Sequence, residues 1–193
     1  EVHVFGRRGP AQAKYTPVEL RELDHSPNVQ VLVDPEDIDY DEASEEARRA
    51  AKATDMVCTT LENYAMRDED PNPNIRKIYI HLFESPVEIL GENGKVVGLR
   101  TERMELNGQG GVTGTGKMTD WEVGQVYRAV GYLSSALPGI PFNHTLGTID
   151  NVAGRVIDQT GEHIAPLYTT GWVKRGPVGL IGNTKSDANE TVQ

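Results

Sequence analysis

The stretch VHVFGRRGP, residues 2–10, decides the fold that we predict for this chain. Its apolar beginning, Val2 to Phe5, predicts a buried strand. An arginine pair follows the end of that strand. In a Rossmann sheet, cations at this position bind the 2′-phosphate of NADP, and a guanidinium can hold a phosphate through two hydrogen bonds. No acidic residue that would select NAD stands at this strand end. Arg7 and Arg8 are therefore candidate NADP contacts, with ordinary surface cations as the alternative.

A helix start and a second strand follow the arginines. Thr16 is the predicted N-cap, Pro17 occupies the first helical position, and Glu19 completes a capping box. The helix should run to about Leu23, and Val29–Val33 should form the next strand. The order strand, arginine loop, helix, strand favours a parallel sheet with helical crossovers.

Two carboxylates on this first helix are candidates for the chemistry of the site. Glu19 and Glu22 are three residues apart, so both project from one face of the helix. One could contact a cofactor while the other moves protons. The alternative for Glu19 is its structural role in the capping box.

An acidic segment precedes a second predicted helix. Residues 34 to 46 contain eight carboxylates and lead into one long helix from Glu42 to about Arg67. Carboxylates in a first turn complement the helix dipole, and a metal or partner site is the alternative. Cys58 falls within the helical pattern and should pack in the interior. Five histidines are scattered without ligand spacing, so we predict no metal site; they are His3, His25, His81, His144 and His163.

From Arg76 the hydrophobic period changes to two, which predicts antiparallel strands with one exposed face. The expected strands are Arg76–Leu82, Val87–Leu90, Val96–Leu106 and Val123–Val130, with a hairpin tip over Asn107–Gly116. Residues 138–141, Pro-Gly-Ile-Pro, are a plausible crossing between domains. Short strands around 148–157 and 167–171 and a helix from about Ser186 should follow.

A second glycine-rich stretch, GWVKRGPVGLIG, occupies residues 171–182. An indole beside bare glycine backbone suits stacking near a flavin and a nicotinamide. Trp172 could instead be a core residue, but the following Lys174 and Arg175 have little value in a core. Together these residues indicate a cofactor-binding loop.

Composition limits the classes of function. A chain of 193 residues with 37% hydrophobic residues can bury a core in one or two domains. A net charge of -10 argues against general binding to nucleic acid or anionic membranes. No apolar run is long enough for a membrane span. The single cysteine excludes an internal disulfide, and we expect a reducing, cytoplasmic location.

These motifs resemble the adrenodoxin-reductase-like ferredoxin–NADP reductases of the bacterial, actinobacterial type. GRRGP at residues 6–10 followed by YTPVELREL at 15–23 looks like the family's "RRGP…FT..ELREL" block. AVGY at residues 129–132 resembles its "SIGY" segment. Residues 171–188 resemble its "GWxKRGPTGVIGTNKxDA" block. The motifs bracket nearly the whole chain in the family's order.

The resemblance implies an α/β flavoprotein with two dinucleotide-binding domains, in which a parallel sheet with helices is joined by an antiparallel β-meander. It implies cofactors FAD and NADP, hydride transfer between NADPH and FAD, and single electrons passed to ferredoxin. The family's NADP contacts are matched by Arg7, Arg8 and Glu19. Glu22 matches a carboxylate that takes part in proton transfer near the nicotinamide. The FAD contacts are matched by Trp172, Gly179, Leu180 and Ile181.

The chain also departs from the family pattern. The FAD fingerprint GxGxxG and the glycine turn of the NADP domain are both absent. We therefore expect a fragment: residues 1–137 as the NADP-binding domain without its first βα unit, and 138–193 as the C-terminal part of the FAD-binding domain.

Without phosphate-anchoring turns, the 193 residues alone should be colourless and inactive, and an open sheet edge should favour a homo-oligomer. The alternatives are a folded fragment without catalytic function and a related flavin reductase subunit such as the small subunit of glutamate synthase. The latter would need cysteine clusters that this chain lacks.

Overall fold

The computed structural model describes residues 1–176 and 183–192. The chain divides into two compact units, Glu1–Tyr127 and Arg128–Gln193. The assignment of residues 1–137 and 138–193 to an NADP-binding and an FAD-binding domain stays a prediction.

A three-stranded parallel sheet forms the centre of the first unit. Its strands are β1 (Val2–Gly6), β2 (Val29–Val33) and β3 (Arg76–Leu82), arranged in the order β1-β3-β2. The predicted strands β1 and β2 are confirmed. The prediction that Arg76–Leu82 is antiparallel is wrong, because this strand is the centre of the sheet and pairs in parallel with both neighbours.

The alternating pattern of β3 has a different cause from the one inferred from the sequence. Ile80 and Leu82 point into the core, whereas Tyr79 and His81 lie on the opposite face. That second face is covered by aromatic rings, including Trp121 at 4.3 Å from His81 between ring centroids. Within the described residues of the first unit, helices cover one face of the sheet and aromatic rings the other, so this parallel strand alternates as an antiparallel one does.

Helix α1 (Pro17–Asp24) begins as the sequence predicts. The Thr16 side chain accepts from the Glu19 N–H at 3.2 Å, and a Glu19 carboxylate oxygen accepts from the Thr16 N–H at 2.9 Å. This reciprocal capping box satisfies two donors at the helix start. The prediction for α1 is therefore confirmed down to its cap.

The predicted long helix is two helices, α2 (Glu42–Ala50) and α3 (Lys52–Ala65). Ala51 interrupts them with an extended backbone (φ -139°, ψ 109°). The break lets α2 lie against α3, where Arg48 pairs with Asp55 and Glu62. Neither proline nor glycine marks the break, so the prediction of one uninterrupted helix is wrong.

The core of the first unit lies between the sheet and helices α1 and α3. It is built from apolar side chains of all three elements together with Phe83: Leu20, Val31, Val33, Val57, Leu61, Tyr64, Ile80, Leu82 and Phe83. The Tyr64 hydroxyl donates to the Leu20 carbonyl at 2.8 Å, which joins α3 to α1. Cys58 is fully buried in α3, as predicted, and burial raises the pKa of its thiol.

An antiparallel meander follows β3. Its strands are β4 (Glu84–Glu92), β5 (Lys95–Leu106) and β6 (Val112–Glu122). The predicted antiparallel meander is confirmed. Its predicted third strand, Val123–Val130, is wrong, because these residues form no strand and the third strand is β6, which lies earlier in the sequence. The glycines that predicted a long tip lie partly within β6. Gly114 stands where a Cβ would fall 2.3 Å from a Glu102 carboxylate oxygen.

The second unit is built from short elements. They are β7 (Phe142–Asn143), β8 (Thr148–Ile149), β9 (Asn151–Val152), β10 (Arg155–Ile157), β11 (His163–Tyr168), α4 (Trp172–Arg175) and α5 (Asn183–Val192). The predicted terminal helix is therefore present and starts three residues earlier than expected. Gly154 has a φ of +88°, and a Cβ there would lie 2.4 Å from the Thr191 hydroxyl oxygen. This contact packs α5 against the β9–β10 turn.

The predicted α/β class, with a parallel sheet, helices and an antiparallel meander, is confirmed. Among the residues that the structure describes, every helix is too short or too polar to cross a membrane.

Candidate functional site

The carboxyl ends of the three parallel strands form one edge of the first unit. Arg7 follows β1, Asp34 follows β2, and Phe83 follows β3. The strands are in parallel register, with Gly6 opposite Leu82, so these following segments lie at the same edge. Ligands of open α/β sheets bind at such an edge. The arginine pair therefore lies where a dinucleotide site is expected.

The guanidinium groups of the pair are available to an anion. Arg7 is exposed and Arg8 is half-buried. Within residues 1–176 and 183–192, no carboxylate forms an ion pair with either of them. Two unneutralised guanidiniums at a strand end fit a phosphate dianion by charge and by hydrogen-bond geometry. The observed placement is the one predicted from the sequence.

The loop that carries the arginines rests on a residue that the sequence did not single out. Phe83 is 2% exposed and has a φ of +55°, a left-handed conformation that is uncommon for an aromatic residue. A Cβ on Gly9 would lie 2.3 Å from the Phe83 ring at Cζ. The Phe83 N–H donates to the Arg8 carbonyl over a long 3.4 Å. Phe83 thus contacts the arginine loop through both its ring and its backbone.

A buried ion pair lies behind Phe83. The Asp37 carboxylate is paired with Arg103 and accepts from the Leu82 N–H at 2.8 Å. Arg103 also donates to the Glu36 carbonyl at 2.8 Å, and its guanidinium carbon lies 5.6 Å from the centre of the Phe83 ring. Burial raises the pKa of Asp37, and the hydrogen bonds from Arg103 and Leu82 oppose that effect.

This role of Asp37 was missed because it belongs to the acidic run, which we interpreted as complementing a helix dipole. Other members of the run do fit that interpretation, since Asp41 caps α2 by accepting from the Ser44 N–H at 2.9 Å. Asp37 differs in being 2% exposed. The described residues bring no group of three or more potential metal ligands together, which leaves the metal alternative without a site among them.

Glu19 and Glu22 lie on the exposed side of α1, opposite the buried Leu20. Glu19 is engaged in the capping box. Glu22 forms no ion pair or side-chain hydrogen bond with the part of the chain that the structure describes. Its carboxylate is thus free for a ligand or a proton, and its catalytic role stays a prediction.

Two histidines that are far apart in sequence meet on the second face of the parallel sheet. His3 Nδ1 lies 2.9 Å from His81 Nε2, although 78 residues separate them. The expectation that the histidines are scattered is wrong for this pair, since β1 and β3 are neighbours in register. Phe5, Tyr79 and Trp121 stack around the two imidazoles.

In the second unit, Trp172 opens α4 and is 42% exposed. Its indole stacks on Tyr132, with 5.7 Å between ring centroids and 28° between the planes. Tyr132 belongs to the AVGY segment that the sequence analysis singled out. The structure therefore brings two of the recognised motifs together. A half-exposed indole leaves surface for a flat ligand, as a flavin contact requires.

The prediction that Lys174 and Arg175 have little value in a core is wrong for Lys174, whereas the Arg175 side chain is 51% exposed. The Lys174 side chain is 3% exposed and its ammonium lies 3.1 Å from Asp187 and 2.9 Å from Glu190. Arg175 pairs with the same two carboxylates. Burial alone would raise the pKa of Asp187, but hydrogen bonds from Arg175, the Gly171 N–H and Lys174 hold it well below its usual range. The two cations fasten α4 to α5.

Three candidate FAD contacts, Gly179, Leu180 and Ile181, lie outside the described residues.

The resemblance to ferredoxin–NADP reductases is confirmed by comparison with known proteins. The chain is 39% identical over 196 aligned positions to the NADPH-ferredoxin reductase FprA of Mycobacterium tuberculosis, which covers all of this chain and 41% of that protein. It is 38% identical to FprA of Mycobacterium leprae over the same extent. It is 33% identical to the mitochondrial NADPH:adrenodoxin oxidoreductase of Bos taurus, covering all of this chain and 40% of that protein.

Solved structures show the same similarity. FprA of Mycobacterium tuberculosis in complex with NADPH superposes with a TM-score of 0.81 at 38% identity, covering 99% of this chain and 41% of that chain. No protein-family model matches the chain. The chain thus spans well under half the length of the relatives it matches, and its similarity to that part is continuous from end to end.

Proposed function

We propose that this chain, a homologue of NADPH-ferredoxin reductases over its whole length, forms the NADP-binding part and a segment of the FAD-binding part of an FAD-dependent ferredoxin–NADP reductase. The observation that carries the proposal is the arginine pair. It lies at the carboxyl end of a parallel strand, no carboxylate among the described residues pairs with it, and the whole chain aligns with part of FprA.

Arg7 and Arg8 would bind the 2′-phosphate of NADP. Each charge-assisted hydrogen bond to a phosphate contributes about 1.5–3 kcal/mol, so two arginines can separate NADPH from NADH strongly. Glu19 and Glu22 lie on the helix that follows this loop, with Glu19 as a further NADP contact. Glu22, which has no partner in the described part of the chain, would handle protons near the nicotinamide.

FAD, when bound, accepts the hydride from NADPH and passes single electrons to ferredoxin. Trp172 would supply one wall of the flavin site, and its 42% exposure is consistent with that role. Gly179, Leu180 and Ile181 complete the proposed FAD contacts. Ferredoxin is the proposed electron partner.

The test separates two isomeric ligands. Adenosine 2′-monophosphate and adenosine 5′-monophosphate have the same composition and charge, and only the first places its phosphate as NADP does. We expect the chain to bind the 2′-isomer at least about tenfold more tightly, which corresponds to about 1.4 kcal/mol. Amide NMR shifts measured during a titration give both affinities.

The variant Arg7→Ala/Arg8→Ala should lose the preference for the 2′-isomer. Arg76→Ala is the matched control, because Arg76 is an exposed arginine at the opposite end of β3. Equal affinity for the two isomers in the unaltered chain, or an unchanged preference in the double variant, would remove the arginines from a phosphate site and contradict the proposed function.

A further inference from the structure

Phe83 lies at the contact between three parts of the first unit. Its N–H reaches back to the Arg8 carbonyl at 3.4 Å, and its own carbonyl accepts from the Met104 N–H at 2.7 Å. The ring is buried and packs on Gly9. One residue therefore links the arginine loop to the meander.

The conformation of Phe83 makes that link specific. A left-handed backbone in a bulky residue is strained and persists only where surrounding contacts impose it. Here those contacts are the Arg8 carbonyl on one side and the Met104 N–H on the other. The ring is thus held at the end of β3, facing the arginine loop.

The Arg103–Asp37 pair supports the ring from behind. Arg103 is half-buried, pairs with Asp37, and donates to two backbone carbonyls, those of Leu82 at 3.2 Å and Glu36 at 2.8 Å. A guanidinium with this many partners has little freedom to move. Its guanidinium carbon lies 5.6 Å from the centre of the Phe83 ring, within the range of a cation–π contact.

Gly9, which has no side chain, leaves the space that the Phe83 ring occupies. Its backbone is extended, with φ -78° and ψ -178°, so any residue could adopt it. A methyl group there would nevertheless fall 2.3 Å from Cζ and 2.8 Å from Cε1 of Phe83. Glycine at position 9 is therefore required by the ring of Phe83 and not by the turn itself.

We propose that Phe83 is a positioning residue for the Arg7–Arg8 loop, so that the close fit of its ring against Gly9 sets the affinity of the arginine pair for a 2′-phosphate. The inference rests on the proposed function, since it concerns the same loop. Phe83 touches no phosphate itself. It acts by fixing the Arg8 carbonyl and the Gly9 backbone, which belong to the loop that carries the two guanidiniums.

The experiment is a cycle of substitutions read by adenosine 2′-monophosphate binding to the full 193-residue chain. Gly9→Ala should weaken binding at least tenfold, because the methyl group displaces the loop. Phe83→Leu lacks Cζ and Cε1, removes the support and should weaken binding about threefold. The double variant Gly9→Ala/Phe83→Leu should bind several-fold better than Gly9→Ala alone. Such a rescue shows that the two positions are energetically coupled, as the contact between the added methyl group and the Phe83 ring predicts.

The outcomes separate this inference from the proposed function. If the unaltered chain prefers the 2′-isomer through its arginines while Gly9→Ala binds as well as it does, the positioning role is wrong and the function stands. If the unaltered chain shows no preference that depends on the arginines, the proposed function fails and this inference fails with it. Should Gly9→Ala not fold, Phe83→Leu decides, and unchanged affinity in that variant overturns the positioning role.

Discussion

His81 Nε2 lies 2.9 Å from His3 Nδ1, and the Trp121 indole packs against the same imidazole at 4.3 Å between centroids. In a hydrogen bond between these two ring nitrogens, one nitrogen donates its hydrogen and the other accepts it. The accepting nitrogen carries no proton, so at least one of the two imidazoles is neutral. Burial, with the neighbouring charge of His3 as a second cause, lowers the pKa of His81 to about 4. The nearby carboxylates are Glu1, 3.8 Å from His3, and Asp34, whose charge opposes the shift.

The first unit should lose stability as the pH falls from about 6.5 towards 4. Because the folded-state pKa of His81 is depressed, the unfolded state binds more protons in this window, and stability falls as they bind. A shift from 6.5 to about 4 corresponds to a loss of up to about 3 kcal/mol, because each pKa unit corresponds to about 1.36 kcal/mol. Urea unfolding of a Trp172→Phe chain, followed by Trp121 fluorescence at several pH values, measures the loss of stability.

The variant His81→Phe should flatten the dependence of stability on pH, whereas His25→Gln, at an exposed histidine of the same unit, should not. An equally steep curve for His81→Phe would assign the effect to other groups.

Replacing Arg48 should destabilise the first unit much more than replacing its neighbour Arg49. Arg48 bridges Asp55 and Glu62 across the break between α2 and α3 and stacks on the Tyr40 ring, whereas Arg49 forms an exposed ion pair with Glu42. We expect Arg48→Met to cost about 1–3 kcal/mol and Arg49→Met less than about 0.5 kcal/mol. Urea unfolding gives both values, and equal costs would show that the bridge does not hold the two helices together.

Helix α5 should detach when Lys174 is replaced. The Lys174 ammonium is buried between Asp187 and Glu190, and removal of one partner of a buried pair typically costs about 3–5 kcal/mol. Lys174→Met should therefore speed amide hydrogen exchange throughout α5. Lys185→Met serves as the control, because Lys185 lies exposed on the same helix. Unchanged exchange in Lys174→Met would mean that the other contacts of α5, those of Arg175 and Thr191, hold the helix without Lys174.

Glu22→Gln should change the pH dependence of flavin reduction in a reductase that contains this chain and bound FAD. The reason is that a glutamine has the shape of the carboxylate but cannot take up a proton. Stopped-flow absorbance of the flavin, mixed with NADPH over a range of pH, measures the step. Glu19→Gln preserves the capping box and should leave the pH profile unchanged. If Glu22→Gln also leaves it unchanged, Glu22 has no proton role.

The elements that sequence predicted well are those with local signals. The capping box at Thr16 and Glu19 and the apolar run Val29–Val33 are written within a few residues, and both are found as predicted. The arginine pair was likewise placed correctly, because a strand end is a local feature.

The wrong predictions concern elements whose structure depends on contacts between residues that are distant in sequence. Arg76–Leu82 alternates like an antiparallel strand, and only its pairing with β1 and β2 shows that it is the central parallel strand. Ala51 carries no helix-breaking signal, yet packing of α2 on α3 interrupts the helix there. The partners of Asp37 and Lys174 lie 66 and 13 residues away, in other elements, so sequence alone showed only a run of charges.

The interruption at Ala51 also fixes the rotational phase of α2. Because the chain bends there, α2 presents Ser44 to Gln12, whose side-chain amide donates to the Ser44 hydroxyl at 2.9 Å just beyond the arginine loop. A helix advances about 100° per residue, so inserting or deleting one residue within α2, between Ser44 and the bend, would turn Ser44 away from Gln12. The number of helical residues between Ser44 and Ala51 is therefore as strictly determined as their identity, although Ser44 lies far along the chain from the arginine loop that it helps to hold.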